Sequence, residues 1–135
     1  MLIVDTSALV AILLNEPTAQ ALAKRLAEAE ARLLSAANYI ELGAVLAGRG
    51  AVDPKKAVQG VDRILSAAAI EVAPVTEELA REALKARIRY GKGFGAAAGL
   101  NFGDCFAYAL AKAHRAPLLF VGDDFARTDI EPALA

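Results

Sequence analysis

The chain has 135 residues and a mass of 14.1 kDa, a length that fits one domain. Its 15 basic and 16 acidic side chains give a formal net charge of −1, so attraction by the whole molecule is not the main source of any affinity for nucleic acid. The hydrophobic fraction of 56% is high, and much of the surplus is alanine, the best helix former, which favours a helix-rich, well-buried fold. The longest uninterrupted apolar run, residues 8–14, is far shorter than the roughly 20 residues that span a membrane, so we expect no transmembrane helix.

The N-terminus and the cysteine content bear on the compartment in which the protein works. Residues 1–5 have neither the basic start nor the small-residue cleavage site of a signal peptide. The single cysteine, Cys105, agrees with a reducing environment. We therefore expect a cytoplasmic protein.

Short apolar runs alternate with helical patterns in the first part of the chain. Pro17 can occupy the first turn of a helix, because its missing N–H would have no partner there. The pattern after Asn38 has the apolar spacing of a helix. In chain order, we predict a strand at 2–4, a helix at 7–14, a helix from 17 to about 29, a strand at 33–35 and a helix from 38 that Gly48 and Gly50 close.

The same alternation continues to the end of the chain. Asp53 and Pro54 are typical of a helix start, and glycines concentrated after Tyr90 favour a loop. The predicted elements are a helix from 54, a strand at 70–74, a helix from 76 to about 90, a loop at 91–102, a helix at 104–114 and a strand at 117–121.

Strands separated by helices indicate an α/β fold, because parallel neighbours need a crossover connection. We predict a central, mostly parallel sheet of about four or five strands with helices on both faces. Ligands of such open sheets bind outside the carboxyl ends of the strands. The functional site is therefore expected at that edge.

Acidic residues fall at this predicted edge. Asp5 directly follows the first strand, and Asp123 and Asp124 follow the last strand. Glu41 lies about one turn into the helix after the second strand, and Asp104 starts the helix after the glycine-rich loop. These five residues are the candidate catalytic carboxylates.

Each carboxylate also has a purely structural interpretation. Asp5 and Asp104 could cap their helices, and Glu41 could complete a capping box with Asn38. Residues 122–124 could form an ordinary turn. Taken together, however, carboxylates that converge on one edge repel each other and raise each other's pKa unless a cation neutralises them.

The donor types select the cation. Oxygen ligands without a cluster of cysteine or histidine favour a hard ion, Mg²⁺ or Mn²⁺, over zinc. Such an ion activates water for attack on a phosphodiester and stabilises charge on the phosphoryl oxygens. The site therefore predicts phosphodiester hydrolysis without a protein nucleophile.

Other chemistries fit the sequence less well. Pro74 and Gly122 stand where a receiver domain needs an aspartate and a lysine, and Ser7 stands where a haloacid-dehalogenase-type phosphatase needs a second aspartate. No glycine-rich phosphate loop follows the first strand. We interpret Cys105 as a packing residue and His114 as a cation at a helix end.

One local basic patch could contact RNA. Its members are spaced as one face of a helix, if the helix extends that far. The alternative is that these cations, with glutamates at the helix start, only complement the helix dipole. The candidate RNA-binding residues are Arg81, Lys85, Arg89 and Lys92.

Four segments of the chain form a recognisable set of motifs. They are Ile-Val-Asp-Thr-Ser-Ala-Leu at 3–9, Tyr-Ile-Glu-Leu at 39–42, the segment 99–111 with Asn-Phe-Gly-Asp at 101–104, and Gly-Asp-Asp-Phe at 122–125 followed by Thr-Asp-Ile at 128–130. Together they resemble the motifs of the PIN-domain family, and of its VapC-type toxins in particular. The resemblance covers nearly the whole chain and implies a single PIN-like domain over residues 1–135. The sequence departs from many relatives at Val121, where they carry lysine, and in the bland stretch 94–98.

The resemblance assigns roles to the candidate residues. It implies that Asp5 and Asp104 are the principal metal ligands, with Ser7 a small polar residue beside them. Glu41 corresponds to the helix-borne glutamate of the family. One of Asp123 and Asp124 is expected to face the metal and the other the turn.

The resemblance also implies a function and partners. Members of this subgroup are Mg²⁺-dependent endoribonucleases that act as toxins of VapBC toxin–antitoxin pairs, are neutralised by a VapB-type antitoxin whose tail enters the acidic groove, and commonly form homodimers. Two alternatives stay open at this point: a PIN nuclease of RNA maturation, and a non-catalytic module that uses the acidic groove to bind a partner protein.

Overall fold

Helices and short strands alternate along the chain, as the sequence pattern predicts. The computed structural model describes residues 1–49, 53–95 and 97–134. The elements in these ranges are β1 (Leu2–Val4), α1 (Thr6–Leu13), α2 (Ala19–Glu28), β2 (Arg32–Ser35), α3 (Ala36–Gly48), α4 (Pro54–Ala67), β3 (Ile70–Ala73), α5 (Glu77–Tyr90), α6 (Phe102–His114) and β4 (Leu118–Leu119).

The strands form one parallel sheet in the order β3-β2-β1-β4. In the central strand, Ile3 is paired with Leu33 on one side and with Leu118 on the other. Past β4, the backbone N–H of Leu118 donates to the carbonyl of Glu131 at 2.9 Å, so a C-terminal segment continues the sheet without forming a strand. The predicted parallel α/β sheet is confirmed.

Alternate side chains of the strands point to opposite faces, and each face packs under helices. Ile3 of β1 belongs to the apolar core that includes α5 and α6. Its neighbours Leu2 and Val4 belong to the core that includes α1, α2, α3 and α4. All three side chains are fully buried, so helices cover both faces of the sheet, as predicted. No helix in the described part of the chain is long and apolar enough to cross a membrane.

Helix starts differ from the sequence predictions at several places. The prediction that Pro17 lies in the first turn of a helix is wrong, because α2 begins at Ala19 and Pro17 lies in the preceding turn. Helix α3 begins at Ala36 rather than Asn38, because the hydroxyl of Ser35 accepts a hydrogen bond from the Ala37 N–H at 3.3 Å and caps the helix. It ends at Gly48, and the predicted role of Gly50 lies outside the described residues.

The C-terminal elements also have different bounds. Helix α6 begins at Phe102, two residues before the predicted start at Asp104. Its N-cap is Asn101, whose side chain accepts from the Asp104 N–H at 2.9 Å. Strand β4 has only two residues, since the chain leaves the sheet at Phe120.

Truncation of Leu34 in β2 should destabilise the fold. Its side chain is fully buried between the sheet and the helices, so Leu34→Ala removes packed atoms and leaves a cavity. We expect a loss of about 2–5 kcal/mol in the free energy of unfolding, measured by urea denaturation. Val58→Ala on α4, where the side chain is 47% exposed, is the control and should change this quantity by less than about 0.5 kcal/mol.

Candidate active site

A cleft of about 300 Å³ opens at the carboxyl ends of the strands. It lies at the end of β1, between β2 on one side and β4 on the other. The chain adds β2 and β3 on one side of β1 and then returns to add β4 on the other side, which makes this the topological switch point of the sheet. Acidic side chains dominate its polar lining. They are Asp5, Glu16, Glu41, Asp104 and Asp124.

Asp5 is both a helix cap and an open oxygen ligand. It follows β1 and caps α1, where its Oδ2 accepts hydrogen bonds from the N–H of Ser7 at 3.0 Å and from the Ser7 hydroxyl at 2.6 Å. Its Oδ1 is buried and has no hydrogen-bond partner in the described residues. The Ser7 hydroxyl also accepts from the backbone N–H of Val121 at 2.9 Å, so it ties Asp5 to the chain that leaves β4.

Asp104 is also held by a cap. It is the third residue of α6, and its Oδ2 accepts from the backbone N–H of Asn101 at 3.0 Å, which completes a capping box. The residue is 6% exposed although it lines the cleft. The structural and functional interpretations of Asp104 are therefore compatible, because the cap uses one carboxylate oxygen.

Glu41 reaches the cleft from α3. The alternative interpretation, a capping box between Asn38 and Glu41, does not apply, since Ser35 caps this helix and Asn38 lies within it. Instead, the side-chain amide of Asn38 donates to Glu41 Oε1 at 3.3 Å and to the carbonyl of Gly103 at 3.0 Å. The sequence placed Glu41 correctly at this edge and missed the contact that orients it.

The two adjacent aspartates after β4 differ in position. Asp124 lines the cleft. The side chain of Asp123 is exposed and is not part of the cleft lining, and its carbonyl accepts from the N–H of Ala126 at 3.1 Å in a turn. This placement favours Asp124 as the residue that faces a metal.

Two charged residues of the cleft, Glu16 and Arg49, were missed by the sequence analysis. Glu16 lies in the turn after α1, where Asn15 has a φ of 51°, and Arg49 follows the last turn of α3. Neither residue stands next to the end of a strand or the start of a helix, so the rule that identified the other carboxylates gives no signal for them.

The model of the PIN domain family matches residues 2–131. The chain belongs to the PIN-domain family. It is 48% identical over 133 residues to Ribonuclease VapC28 of Mycobacterium tuberculosis and 46% identical over 132 residues to Ribonuclease VapC42 of the same organism, in each case across 98% of both chains. The predicted resemblance to VapC proteins is confirmed.

Solved structures share the PIN fold of the chain. The toxin VapC20 of Mycobacterium tuberculosis, described as cleaving the sarcin-ricin loop, superposes with a TM-score of 0.76 at 17% identity over 96% of both chains. A toxin–antitoxin complex from Klebsiella pneumoniae gives 0.71 at 19% identity, over 96% of this chain and 93% of that one. At these identities the likeness supports the fold alone.

The cleft of this PIN domain raises the pKa of two carboxyl groups. Burial raises the pKa of Asp5 to about 6, against the opposing effect of the hydrogen bonds from Ser7, and the charges of Glu41 and Asp124 raise it further. Burial likewise raises the pKa of Asp104 to about 8, against the backbone N–H of Asn101, with Asp5 and Asp124 adding to the rise. The site therefore binds protons unusually well when no cation offsets its charge.

The donor set fits a hard divalent cation. Its side-chain ligands are carboxylate oxygens, and the buried Oδ1 of Asp5 lacks a partner within the described ranges. In the same ranges, no three His, Cys, Asp or Glu side chains are already gathered around one metal position. The chemistry of the donors and the orphaned oxygen, rather than a preformed cage, support metal binding here.

The predicted basic patch does not meet the cleft. Arg81 pairs with Glu77 at 2.7 Å and Lys85 with Glu82 at 3.1 Å, so the first two cations have partners on α5 itself. Helix α5 ends at Tyr90, so the patch does not extend along one helical face to its last member. None of Arg81, Lys85, Arg89 and Lys92 lines the cleft.

Cys105 and His114 have the environments expected of non-catalytic residues. The Cys105 thiol is buried and donates to the carbonyl of Asn101 at 3.3 Å, and burial raises its pKa to about 11. A protonated thiol is a poor nucleophile. His114 is exposed in the last turn of α6, where a cation complements the helix dipole.

Asp104→Asn should stabilise the metal-free protein, and more strongly as the pH rises. The folded state holds the Asp104 proton up to about pH 8, whereas the unfolded chain releases it near pH 3.8. This contribution to the free energy of unfolding is therefore complete below about pH 4 and is lost as the pH rises towards 8. Asparagine cannot become charged, so the variant should gain at least about 1.4 kcal/mol over wild type between pH 5 and pH 8.5, the value of one pKa unit.

Urea denaturation in EDTA at both pH values measures this difference. Val58→Ala, which changes an exposed side chain on α4 and no titratable group, is the control and should show no dependence on pH relative to wild type. A gain for Asp104→Asn that stays constant from pH 5 to pH 8.5 would contradict the raised pKa.

Proposed function

We propose that this PIN domain is a Mg²⁺-dependent endoribonuclease that acts as the toxin of a VapBC-type pair. The observation that carries the proposal is the buried Oδ1 of Asp5, which has no hydrogen-bond partner among residues 1–49, 53–95 and 97–134, in a cleft that also holds Glu41, Asp104 and Asp124. The names of the VapC ribonuclease relatives support RNA as the substrate. We also propose that residues 1–135 form a single domain, which the match of the family model to residues 2–131 supports.

Asp5 and Asp104 are the side chains proposed to hold the metal, with Mn²⁺ able to replace Mg²⁺. When bound, the cation activates water for attack on the phosphodiester and stabilises negative charge on the phosphoryl oxygens. Each of the two carboxylates uses one oxygen in a helix cap, which fixes its orientation and leaves the other oxygen for the ion. Ser7 restrains Asp5 further through its hydroxyl and through Val121.

The remaining polar residues of the cleft are proposed to bind and orient the reacting groups. Glu41 and Asp124 supply acceptors for water at the cleft. Arg49 supplies a cationic side chain at the same cleft, suited to a phosphate of the RNA backbone. A local cation is needed because the chain as a whole has a net charge of −1.

Asp5→Asn and Asp104→Asn should each remove cleavage of RNA in Mg²⁺ while the fold is kept. Loss of a charged metal ligand weakens the binding and the electrostatic effect of the cation, so we expect at least about a 100-fold fall in the cleavage rate, or about 2.7 kcal/mol. A gel assay on labelled RNA with purified protein measures the rate, and circular dichroism checks the fold. EDTA should have the same effect on wild type.

Asp123→Asn is the comparison that distinguishes the two adjacent aspartates. Because Asp124 lines the cleft and Asp123 does not, Asp124→Asn should reduce cleavage much more than Asp123→Asn.

The outcome that would contradict the proposed mechanism concerns the metal and its two proposed ligands. Cleavage that persists in EDTA, or that survives both Asp5→Asn and Asp104→Asn, would rule it out.

The acidic cleft is also the proposed binding site for the basic tail of a VapB-type antitoxin. Complementary charge favours such a tail over an acidic one. A structure similar to this chain is described as a toxin–antitoxin complex, which supports a partner of this class. The VapC relatives favour the toxin role over RNA maturation, and the intact carboxylate set favours a nuclease over a non-catalytic module.

We propose a homodimer that uses the outer face of α5 and the start of α6. Leu84 and Ile88, four residues apart on α5, are 60% and 57% exposed, and Phe102 on α6 is 70% exposed. Exposed apolar side chains grouped in this way are typical of an association surface. Glutamates begin α5 and arginines end it, so antiparallel pairing of two copies would place opposite charges together.

Ile88→Glu should shift the protein towards monomer. A carboxylate on the α5 face would be buried without a partner in the proposed dimer, so the dissociation constant should rise about tenfold or more. Sedimentation equilibrium over a range of concentrations measures it. Ile40→Glu on α3, where the side chain is 70% exposed, is the matched control and should leave the constant unchanged. A wild-type protein that stays monomeric at high concentration would contradict the proposed dimer.

A further inference from the structure

Asn38 on α3 has a fully buried polar side chain that lies beside the acidic residues of the cleft. It is 0% exposed, and both donor hydrogens of its amide are used across the site. One goes to Glu41 Oε1 at 3.3 Å and the other to the backbone carbonyl of Gly103 at 3.0 Å. Both partners are acceptors, which fixes which side of the amide carries the nitrogen.

The contacts of Asn38 join the three helices that carry the proposed metal-site residues. The hydroxyl of Thr6, next to Asp5 at the start of α1, donates to the backbone carbonyl of Asn38 at 3.3 Å. Glu41 lies one turn further along α3 and therefore on the same helical face. Gly103 lies in the first turn of α6, immediately before Asp104. Asn38 thus contacts Glu41 directly. It also contacts Thr6 and Gly103, which are the sequence neighbours of Asp5 and Asp104.

Gly103 gives the Glu41 carboxylate the space it occupies. A Cβ added at Gly103 would overlap this carboxylate, lying 2.6 Å from its Cδ and 2.8 Å from Oε1. Gly103 is helical and has no positive φ, so its backbone conformation does not require glycine. Glycine is required here because the Glu41 carboxylate approaches the start of α6 so closely.

We propose that Asn38 is a positioning residue, which acts with Gly103 to set the place of the Glu41 carboxylate relative to Asp5 and Asp104. This role rests on the proposed metal-dependent nuclease function. Its physical basis is that the buried Asn38 amide, held by the backbone carbonyl of Gly103, offers Glu41 a donor in one place, whereas a glutamate with several rotatable bonds samples many positions when unsupported. Asn38 itself does not line the cleft.

The first test compares Asn38→Ala with Ser35→Ala. Ser35 caps the same helix through the N–H of Ala37 and does not line the cleft, so its loss weakens the start of α3 without removing a contact of Glu41. For Asn38→Ala we expect kcat for RNA cleavage to fall about 10- to 100-fold with KM nearly unchanged, and the affinity for Mn²⁺ to weaken. For Ser35→Ala we expect a lower Tm with kcat, KM and Mn²⁺ affinity unchanged.

The second test uses Gly103→Ala, which does not depend on the stability of the Asn38 variant. Alanine is a better helix former than glycine, so the helix should not be weakened, while the added methyl group displaces Glu41. The same loss of kcat at unchanged KM is expected, and Mn²⁺ titration by calorimetry gives a measurement independent of activity.

A double-mutant cycle with Glu41→Gln decides whether Asn38 acts through Glu41. If it does, Asn38→Ala should cost much less in the Glu41→Gln background than in wild type. Additive losses, or equal losses of kcat in Ser35→Ala and Asn38→Ala, would overturn the positioning role. If wild type binds Mn²⁺ and cleaves RNA but Asn38→Ala and Gly103→Ala do the same, only this role fails. If wild type neither binds Mn²⁺ nor cleaves RNA, the proposed function fails and takes this role with it.

Discussion

Mutual repulsion among carboxylates at one edge of a parallel sheet is the constraint on which this structure depends. The fold brings Asp5 to the edge from β1, Asp104 from α6 and Asp124 from the chain after β4. Burial is the larger cause of the raised pKa values of Asp5 and Asp104, and the charges of the neighbouring carboxylates raise them further. A protein that keeps such a cluster needs local contacts to hold each carboxylate, and the charge of the cluster is offset either by bound protons or by a cation.

Helix caps supply the local contacts at two of these positions. One carboxylate oxygen of Asp5 and one of Asp104 accept a hydrogen bond from a backbone N–H at the start of a helix, where the helix dipole also favours negative charge. Glu41 lies within a helix, where no backbone N–H is free, and it is held by the Asn38 amide instead. At Asp5 and Asp104, one carboxylate oxygen is thus held by the backbone, and the cap does not require the other oxygen.

The sequence predicted much of this arrangement because its signals are local. Strand ends, helix starts and the alternation of elements follow from short patterns, and they placed Asp5, Glu41 and Asp104 at one edge. What it missed depends on contacts distant in sequence. The bond between Asn38 and Gly103 joins residues 65 positions apart, and Glu16 reaches the cleft only because of the turn after α1. The start of α6 was misplaced because Asn101 and Asp104 are both good caps, and only the backbone distinguishes them.

The backbone pairing of Leu118 with the segment at 131–133 has a consequence for association between molecules. Strand β4 is the last strand on its side of the sheet, and an outer strand presents unpaired N–H and C=O groups that can recruit another chain. The N–H of Leu118 donates to Glu131 and its carbonyl accepts from Ala133, both at 2.9 Å, so these groups are already engaged. The tail thereby shields the β4 edge of the sheet from intermolecular strand addition, which leaves β3 as the outer strand that could still pair with another chain.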